Sequence, residues 1–467
     1  MSGFSGLNTG LTGLAAAQRA MDITGQNIVN ANTEGYSRQR VELATAGTSS
    51  SATFHTGNQP VLSGVSVETI TRIRDSFLEA MRATAGARQS ALTTEASVLE
   101  AAQQLLSEPT SAGLQNTLDA FYSSWHDLSL TPTDDAAGAV VLQRAAAVTD
   151  QLHSLVSNLS DEWTTSRTAL DGVIAEANQA ASDLAELNAQ IHSNVVGGRS
   201  ANDLLDRRDL LVRELGSLVG ATALPGEDGQ VSVSVGGVTI VSGSTAQELT
   251  LSGAHDISAV SADPPTILWN STSVPVDSGQ AAGYLAAIGT DLPDLSSAVD
   301  DVALALRDAV NSIHQTGYTR TGATGTDFFT GTDAASLAVV PTAPEDLAVA
   351  TAAGVVDGSI AAAIGDLASD DASSAALSGA TGASELWREL TTDLGVRVQS
   401  MAASVLVQDS VVASAEDAVQ SSSGVNLDEE MTNMLLYQRA YQASARVITT
   451  VDAMLDTLIN RTGMVGR

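Results

Sequence analysis

The sequence predicts a mainly α protein of several domains (α+β), in which terminal coiled-coil helices and a long helical bundle carry one or two small β-rich insert domains. Three observations support this prediction. Apolar residues recur at steps of three and four at both chain ends, alanine-rich faces of helical spacing fill the middle, and period-two alternation begins near residue 220. The predicted domains are a terminal coiled-coil domain at 1–40 and 425–467, a helical bundle at 41–220, 284–317 and 384–424, a β-rich insert at 221–283, and a peripheral insert rich in Ala, Gly and Ser at 318–383.

Each end of the chain is predicted to form an amphipathic helix that needs a partner. The first apolar seam follows Phe4, Leu7, Leu11, Leu14, Gln18, Met21, Gly25, Ile28 and Asn32. The last seam follows Leu427, Met431, Met434, Gln438, Tyr441, Ala445, Ile448, Asp452, Leu455 and Ile459. A period of about 3.5 residues is typical of a coiled coil, and each seam is the most direct partner for the other. Two ordinary helices buried against a globular core are the alternative interpretation.

The chain between about residues 76 and 219 is predicted to form long helices. Ser76 is placed to cap the first of them, which ends before Pro109 because the residue before a proline avoids the helical conformation. Further helices are predicted at about 114–128, from 136 to 159, at 161–194 and at 203–219. Alanine on their apolar faces favours helix and lets neighbouring helices approach closely.

Strands are predicted after residue 220. Val231–Val235 alternates with period two, and Gly236 and Gly237 supply the positive φ angles of a two-residue hairpin. The partner strand of that hairpin and two further short strands are predicted at 238–241, 266–269 and 273–276.

Helix is predicted twice more along the chain. One helix runs between residues 283 and 315 and is divided at Pro293, because proline breaks or restarts a helix. The last bundle helix is predicted at 384–422. Between them, 318–383 has few large apolar residues, which predicts either a small peripheral β domain or an irregular exposed insert.

Composition excludes several classes of protein. The net charge of −33, from 21 basic and 54 acidic residues, argues against a nucleic-acid partner and against anionic membrane surfaces. The chain has no cysteine, which excludes disulfides and cysteine-based metal sites or nucleophiles. Its sequence contains neither an apolar run of about 20 residues nor a secretory signal peptide, and these features taken alone predict a cytoplasmic protein.

Catalytic and cofactor motifs are not evident in the sequence. The six histidines lack the i, i+4 spacing of a helical metal motif, and neither a nucleophile elbow nor a phosphate-binding loop occurs. The acidic pairs Asp134–Asp135 and Asp370–Asp371 lie in polar loops and are interpreted as turn residues or caps. Gly322–Asp327 lacks the strand–turn–helix context of a nucleotide site. We therefore expect no enzyme activity, no cofactor and no metal.

Polar residues beside the two seams have structural interpretations. Asn426 is placed as an N-cap, and Glu429 lies three residues later, where a capping box requires an acceptor. Asn30, Asn32 and Gly35 are predicted to end the first helix, because Asn and Gly tolerate the left-handed conformation. The charged residues of 202–215 are predicted to form i, i+3 and i, i+4 pairs on a solvated or interface-facing helix.

Three segments carry a resemblance to a known family. Asn27–Gln39, with the letters NIVNANTEGYSRQ, resembles the N-terminal signature of the axial proteins of the bacterial flagellum. Ser423–Glu430 and the following Tyr437–Tyr441 resemble the C-terminal signature of the same proteins and are most similar to the hook-associated protein 1 family. Asn202–Leu215 is similar to a segment of that family as well. The resemblance does not extend over 318–383.

The resemblance implies a structural protein at the hook–filament junction, exported unfolded without cleavage and therefore extracellular. Terminal helices of many subunits would pack side by side, so that the protein assembles into a helical ring. Hook protein would lie on one side, the second junction protein on the other, and an export chaperone would bind the C-terminal helix. Subunit packing would involve the large apolar residues of both seams together with Asn30, Asn32, Gly35, Tyr36, Arg38, Gln39, Asn426 and Glu429.

Two other functions are compatible with the sequence. The nearer one is another axial protein, such as hook, distal rod or flagellin. The helical middle argues against rod and hook, and the Asn30–Gln39 motif argues against flagellin. The more distant one is a secreted enzyme or effector with axial-like ends, which a polar cleft with converging titratable groups in 221–283 or 318–383 would support.

Overall fold

The computed structural model describes residues 2–47, 62–106, 108, 113–355, 357–369 and 382–461. Within these residues the helices are α1 Ser2–Val29, α2 Ser76–Leu106, α3 Leu114–Leu130, α4 Asp135–Val196, α5 Asn202–Val219, α6 Gln280–Ala286, α7 Leu292–His314, α8 Ser359–Gly365, α9 Ala383–Ser423 and α10 Leu427–Arg461. The strands are β1 Gln39–Gly47, β2 Leu62–Arg72, β3 Thr222–Pro225, β4 Val231–Val235, β5 Val238–Ser242, β6 Thr245–Ala246, β7 Leu249–Ser252, β8 Thr266–Trp269, β9 Thr272–Ser273, β10 Tyr318–Thr319, β11 Phe329–Thr330, β12 Ala338–Val339 and β13 Ala348–Ala350.

The protein is mainly α, as the sequence predicts, and its strands form small antiparallel sheets. A four-stranded sheet has the order β3-β4-β5-β6, and a three-stranded sheet has the order β7-β8-β9. Gly236 and Gly237 form the tight turn between β4 and β5 with φ angles of 54° and 81°, which confirms the predicted hairpin. Three two-stranded sheets join β1 with β2, β10 with β13 and β11 with β12.

Helix α4 is the backbone of the bundle, and it is one helix where the sequence analysis predicted two. It has 62 residues and therefore spans about 93 Å. The predicted break near residue 160 is wrong, because Leu155, Leu159 and Trp163 continue one buried stripe that packs on the neighbouring helices. Asp134 caps the helix by accepting a hydrogen bond from the Ala136 amide at 2.9 Å.

The second predicted break coincides with an irregular turn. Helix α6 continues through a π turn, Ala287–Asp291, into α7, and Pro293, which has no amide hydrogen, lies in the first turn of α7 directly after it. The indole of Trp163 donates to the Ile288 carbonyl inside this π turn at 2.7 Å. Helix α4 is thereby tied to the irregular turn between α6 and α7.

The segment 318–383 was predicted to be peripheral, and for its described part this prediction is wrong. Phe328, Phe329 and Leu347 are fully buried and belong to the same apolar cluster as the helices. Asn311 of α7 accepts hydrogen bonds from the amides of both phenylalanines and donates to the Phe329 carbonyl. Large apolar residues are few in this segment, but those present converge on one place in the bundle, a property that composition does not reveal.

The start of the predicted bundle domain also differs from the sequence analysis. Residues 41–47 and 62–72 belong to the antiparallel β1–β2 pair, which packs against α1 and contacts the bundle at α5. The bundle proper begins at α2, which packs on α4, α5, α6 and α9. No helix among the described residues has the length and hydropathy needed to cross a membrane.

Candidate functional site at the paired termini

The first and last helices pair with each other along their length. They run antiparallel, because Gly6 of α1 lies next to Val451 of α10, Gly10 next to Ile448, and Gly25 near Met434. The two helices are closest at the glycines. A Cβ atom added to Gly10 would lie 2.7 Å from Cγ1 of Ile448, and one added to Gly13 would lie 2.9 Å from Oγ of Ser444. Because the glycines of α1 have no side chains, the backbones of the two helices can approach each other closely at these positions.

The buried face of α1 is not the predicted apolar seam. Ala16, Ala17, Ala20, Ile23 and Asn27 are buried. The predicted residues lie elsewhere: Leu11 is 50% exposed, Asn32 is exposed, and Leu7, Leu14, Met21 and Ile28 are partly buried. The side chain of Phe4 lies outside the described residues. Counting large apolar residues gave the wrong face, because the contact is made by glycine and alanine.

The predicted seam of α10 is partly correct. Met434, Tyr441, Ile448 and Leu455 are partly buried, with Met434 and Ile448 placed against α1 glycines. Leu427 and Met431 are 48% and 59% exposed, so the prediction is wrong for the first turn. The residue that is buried in the first turn of α10 is instead Glu430, which is 2% exposed. The side chain of Ile459 lies outside the described residues.

A polar network joins α1 and α10 at the C-terminal end of α1. The side-chain amide of Asn27 donates to the Gln39 carbonyl at 2.9 Å and to the Glu430 carboxylate at 3.0 Å. Its oxygen accepts from the Gln39 amide at 3.0 Å and from the Tyr36 hydroxyl at 2.8 Å. One buried asparagine therefore joins helix α1, the extended segment after it and the start of α10.

The start of α10 is capped by Asn426, and its carboxylates are neutralised by Arg38 of the extended segment after α1. Asn426 accepts hydrogen bonds from the amides of Asp428 and Glu429 at 3.0 and 3.3 Å, which confirms its role as the N-cap. Arg38 bridges Glu430 at 2.7 Å and Glu429 at 3.0 Å. The Glu429 carboxylate thus pairs with the arginine and does not close the predicted capping box. Arg38 provides the positive charge for the nearly buried Glu430.

Helix α5 brings the third motif of the sequence into contact with the other two. Asn202 donates to the Gln39 side chain at 3.1 Å, and the Asp206 carboxylate accepts from the Ser37 amide at 3.2 Å. Arg72 at the end of β2 bridges Asp206 at 2.8 Å and Asp209 at 2.7 Å. The three resembling segments, far apart in sequence, meet in one network. The charges on this helix therefore pair mainly with other elements and not along its own face.

The helix-stop residues of α1 lie at the rim of this network. Asn30 donates to the Gln26 carbonyl at 3.0 Å and accepts from the Thr33 hydroxyl at 3.2 Å. Gly35 has a φ of 77° and lies near the guanidinium of Arg213. The left-handed turn at Gly35 directs the chain back toward α5 and into β1.

Burial shifts the proton affinities of two groups near the network. Burial, assisted by the charges of Asp206, Asp203 and Glu430, raises the pKa of Tyr36 to about 12. Burial, assisted by the neighbouring Arg72 and Arg74, lowers the pKa of Arg208 to about 10. At neutral pH Tyr36 is therefore a neutral hydroxyl, and it can donate its proton to Asn27.

Sequence reasoning assigned no role to Asn27 and Arg72 of this network, and it predicted that Asp206 and Asp209 pair along α5 itself. Asn27, Glu430 and Asp206 are buried polar groups, and Arg72 and Asp209 pair with each other across elements. Asn27 and Glu430 lie within the two terminal motifs that resemble flagellar axial proteins, and these motifs are the sequence feature that could have pointed to them. Among the described residues, no group of three or more His, Asp or Glu is arranged to hold a metal ion.

Comparisons with known proteins agree with this architecture. Residues 99–329 match the family model described as "Flagellar hook-associated protein FlgK helical domain". Residues 7–36 match "Flagella basal body rod protein", and residues 418–461 match "Flagellar basal body rod FlgEFG protein C-terminal". The two terminal matches cover the paired helices, and they define the chain as a structural protein of the bacterial flagellum.

Full-length relatives give the family. Flagellar hook-associated protein 1 of Bacillus subtilis is 29% identical over 512 aligned positions, which cover 100% of both chains. The protein of the same name from Salmonella typhimurium is 27% identical, with 97% of this chain and 99% of the relative covered. A solved structure, the flagellar hook junction protein FlgK from Burkholderia pseudomallei, covers 74% of this chain and 100% of its own with a TM-score of 0.64 at 14% identity, and so shares the fold. The chain belongs to the flagellar hook-associated protein 1 family.

Proposed function

We propose that this protein is the subunit that joins the flagellar hook to the filament, and that its paired termini are the surface through which many copies assemble. The family consists of structural flagellar proteins that act in self-assembly and are located in the flagellum. The finer roles proposed here are a helical ring of subunits, with hook protein on one side, the second junction protein on the other, and an export chaperone on the C-terminal helix.

The single observation that carries the proposal is a second apolar stripe on α10. Its members are exposed, all but Thr450 are apolar, and they recur at steps of four and three, the spacing of a coiled-coil seam: Leu436, Ala440, Ala443, Val447, Thr450 and Met454. Leu436 and Met454 are 59% and 61% exposed. While one face of α10 packs on α1, this outer stripe remains available for another subunit.

The distribution of charge also favours close packing of the termini. Helix α1 has one arginine and one aspartate, and α10 has three arginines against five acidic residues. Nearly all of the net charge of −33 therefore lies outside the paired helices. Copies that pack their termini side by side would bring little charge of one sign together, while the acidic bodies stay farther apart. Repetition of such a head-to-tail contact builds open or ring-shaped helical assemblies.

The experiment is complementation of a strain that lacks the gene. The wild-type chain should restore filaments on hooks, and electron microscopy should place the protein between hook and filament. A variant with Val447→Asp should be exported, yet cells should release filament protein into the medium and grow no filaments. Normal filaments with Val447→Asp and with Met454→Asp would show that the outer stripe takes no part in assembly.

A further inference from the structure

Helix α2 carries an exposed stripe that no element of the chain covers in the described structure. It consists of Phe77, Met81, Thr84 and Arg88, which lie on one side of the helix at i, i+4, i+7 and i+11. Phe77 is 73% exposed and Met81 is 40% exposed. Phe121, Phe328 and Phe329 are, by contrast, fully buried. An exposed aromatic ring in a chain with 3% aromatic residues is an unusual feature, and such rings are typical anchors of protein interfaces.

The anchor is held in a fixed position. The carboxylate of Asp75 accepts hydrogen bonds from the amides of Phe77 and Leu78 at 2.9 and 3.2 Å, so the first turn of α2 is capped. Arg88 at the other end of the stripe is exposed, and its guanidinium has no ion pair among the described residues. The stripe therefore combines an apolar end on a capped helical turn with a positive charge that no described residue neutralises.

Helix α10 begins with a stripe of the complementary kind. Leu427, Met431 and Leu435 follow one another at steps of four and are 48%, 59% and 57% exposed. The exposed carboxylate of Asp428 stands beside them, and within the described part of the chain it has no ion pair. Helix α10 packs on α1 and α2 packs on the bundle, so neither of these stripes is used by the fold described here.

We propose that the α2 stripe of one subunit docks against the first turns of α10 of a second copy, with the helices antiparallel. This inference rests on the proposed assembly function and names a contact within it. When Met81 faces Met431 in an antiparallel arrangement, Phe77 faces Leu435, because both pairs are separated by four residues. Arg88 then lies about 10 Å along the axis from the Met–Met contact and Asp428 about 4.5 Å in the same direction. The remaining distance of about 6 Å is within reach of an arginine side chain.

Charge complementarity between the two stripes favours a second copy of this chain as the partner that binds the α2 stripe. The body of the chain is strongly acidic, so most of its surface repels another acidic subunit. Among the residues that the structure describes, neither Arg88 on the α2 stripe nor Asp428 on the α10 stripe has an ion-pair partner, and their charges are opposite. The two stripes thus match in apolar spacing and in charge. Because one chain presents both, the contact is head-to-tail and can repeat from subunit to subunit.

The test uses the absence of cysteine from the chain, so that any introduced thiol is unique. One plasmid supplies Met81→Cys with an affinity tag, and a second supplies Met431→Cys without it. Intact flagella are oxidised, and a disulfide-linked dimer that contains both forms is expected. The purified monomers at low concentration should give none. The matched control replaces Met81→Cys with Val140→Cys, an equally exposed apolar position of α4 at 44% exposure, and no dimer should form.

A charge exchange provides the second measurement. Arg88→Glu and Asp428→Arg should each reduce the number of filaments per cell, and the chain with both changes should recover it, while the thermal transition of each monomer stays close to that of the wild type. If the cysteine variants themselves fail to support filaments, this exchange decides alone.

Three results would overturn the docking. The first is filaments that grow normally on cysteine variants without any cross-link, a result that leaves the junction function intact. The second is a disulfide that links Met81→Cys to Met81→Cys of a second copy in place of Met431→Cys. The third is a double charge exchange that is no better than either single change.

Discussion

Two adjacent residues of α10 test whether its two faces have different tasks. Ile448 lies against Gly10 on the inner face, and Val447 lies on the outer stripe with 44% exposure. Replacement by aspartate adds the same carboxylate at both positions. The expected results differ, because one site is closed in the monomer and the other is open.

The magnitudes follow from the two surroundings. Ile448→Asp removes apolar contact with α1 and places an unpaired carboxylate where a single methyl group on Gly10 would already clash. The loss of apolar burial is roughly 1.5–3 kcal/mol for a well-buried isoleucine. Desolvation of the carboxylate adds to it, so a cost of roughly 2–4 kcal/mol is expected for this partly buried site. Val447→Asp is a surface change in the monomer, worth about 0.5 kcal/mol or less.

Amide hydrogen exchange on the monomer is the direct assay. In the wild-type monomer 2–29 and 427–461 should exchange faster than the bundle, because an isolated helix pair is only marginally stable. Ile448→Asp should remove the remaining protection of both α1 and α10, while Val447→Asp should leave it unchanged and abolish filament growth. Equal exchange in the two variants would refute the assignment of inner and outer faces. Strong protection of both ends in a verified wild-type monomer would refute the marginal stability of the helix pair.

Three further predictions concern the bundle and the polar network. Phe328→Ala should destabilise the bundle by about 3–5 kcal/mol in denaturant unfolding, because the ring is fully buried, whereas a peripheral insert would give almost no change. Tyr36→Phe should cost about 1 kcal/mol and speed exchange near Asn27, since it removes one hydrogen bond and keeps the ring; unchanged exchange would remove Tyr36 from the network. Burial lowers the pKa of His314, whose Nδ1–H donates to the Thr326 carbonyl and whose Nε2 accepts from the Ala348 amide. The folded state therefore prefers the neutral ring, and stability should be full above the unfolded pKa of about 6.5 and fall as pH drops below it. In His314→Gln this part of the pH dependence of the free energy of unfolding should disappear.

The long helices and the family motifs were accessible from sequence, because periodicity extends over many residues and the motifs stand at fixed places. The pairing of α1 with α10 was predicted correctly. The face of α1 that contacts α10 was predicted incorrectly. Hydrophobic counting selects Leu11, which is half exposed, and gives no weight to Gly10, which makes the closest approach. What decides the contact is the distance between two backbones, and a sequence pattern does not contain that distance.

The peripheral placement of 318–383 failed for a related reason. The average hydrophobicity of a segment reports how many apolar side chains it has, but not whether those side chains are buried in the core. Phe328 and Phe329 are adjacent, and both enter the core because Asn311 holds their backbone against α7. The polar network was equally hidden, since Asn27, Asn202 and Glu430 become neighbours only when three distant segments are brought together.

The glycine seam has a consequence for how the two ends become ordered. Helix α1 contains five glycines in 28 residues, and each lowers helix stability by about 1 kcal/mol relative to alanine. Alone, α1 is therefore a poor helix, and its order depends on the surface that α10 offers. Whatever covers the inner face of α10 before assembly would keep α1 unfolded as well. A single contact at the C-terminal end of the chain would then keep the distant N-terminal end unfolded as well, and its release would let the two helices order together.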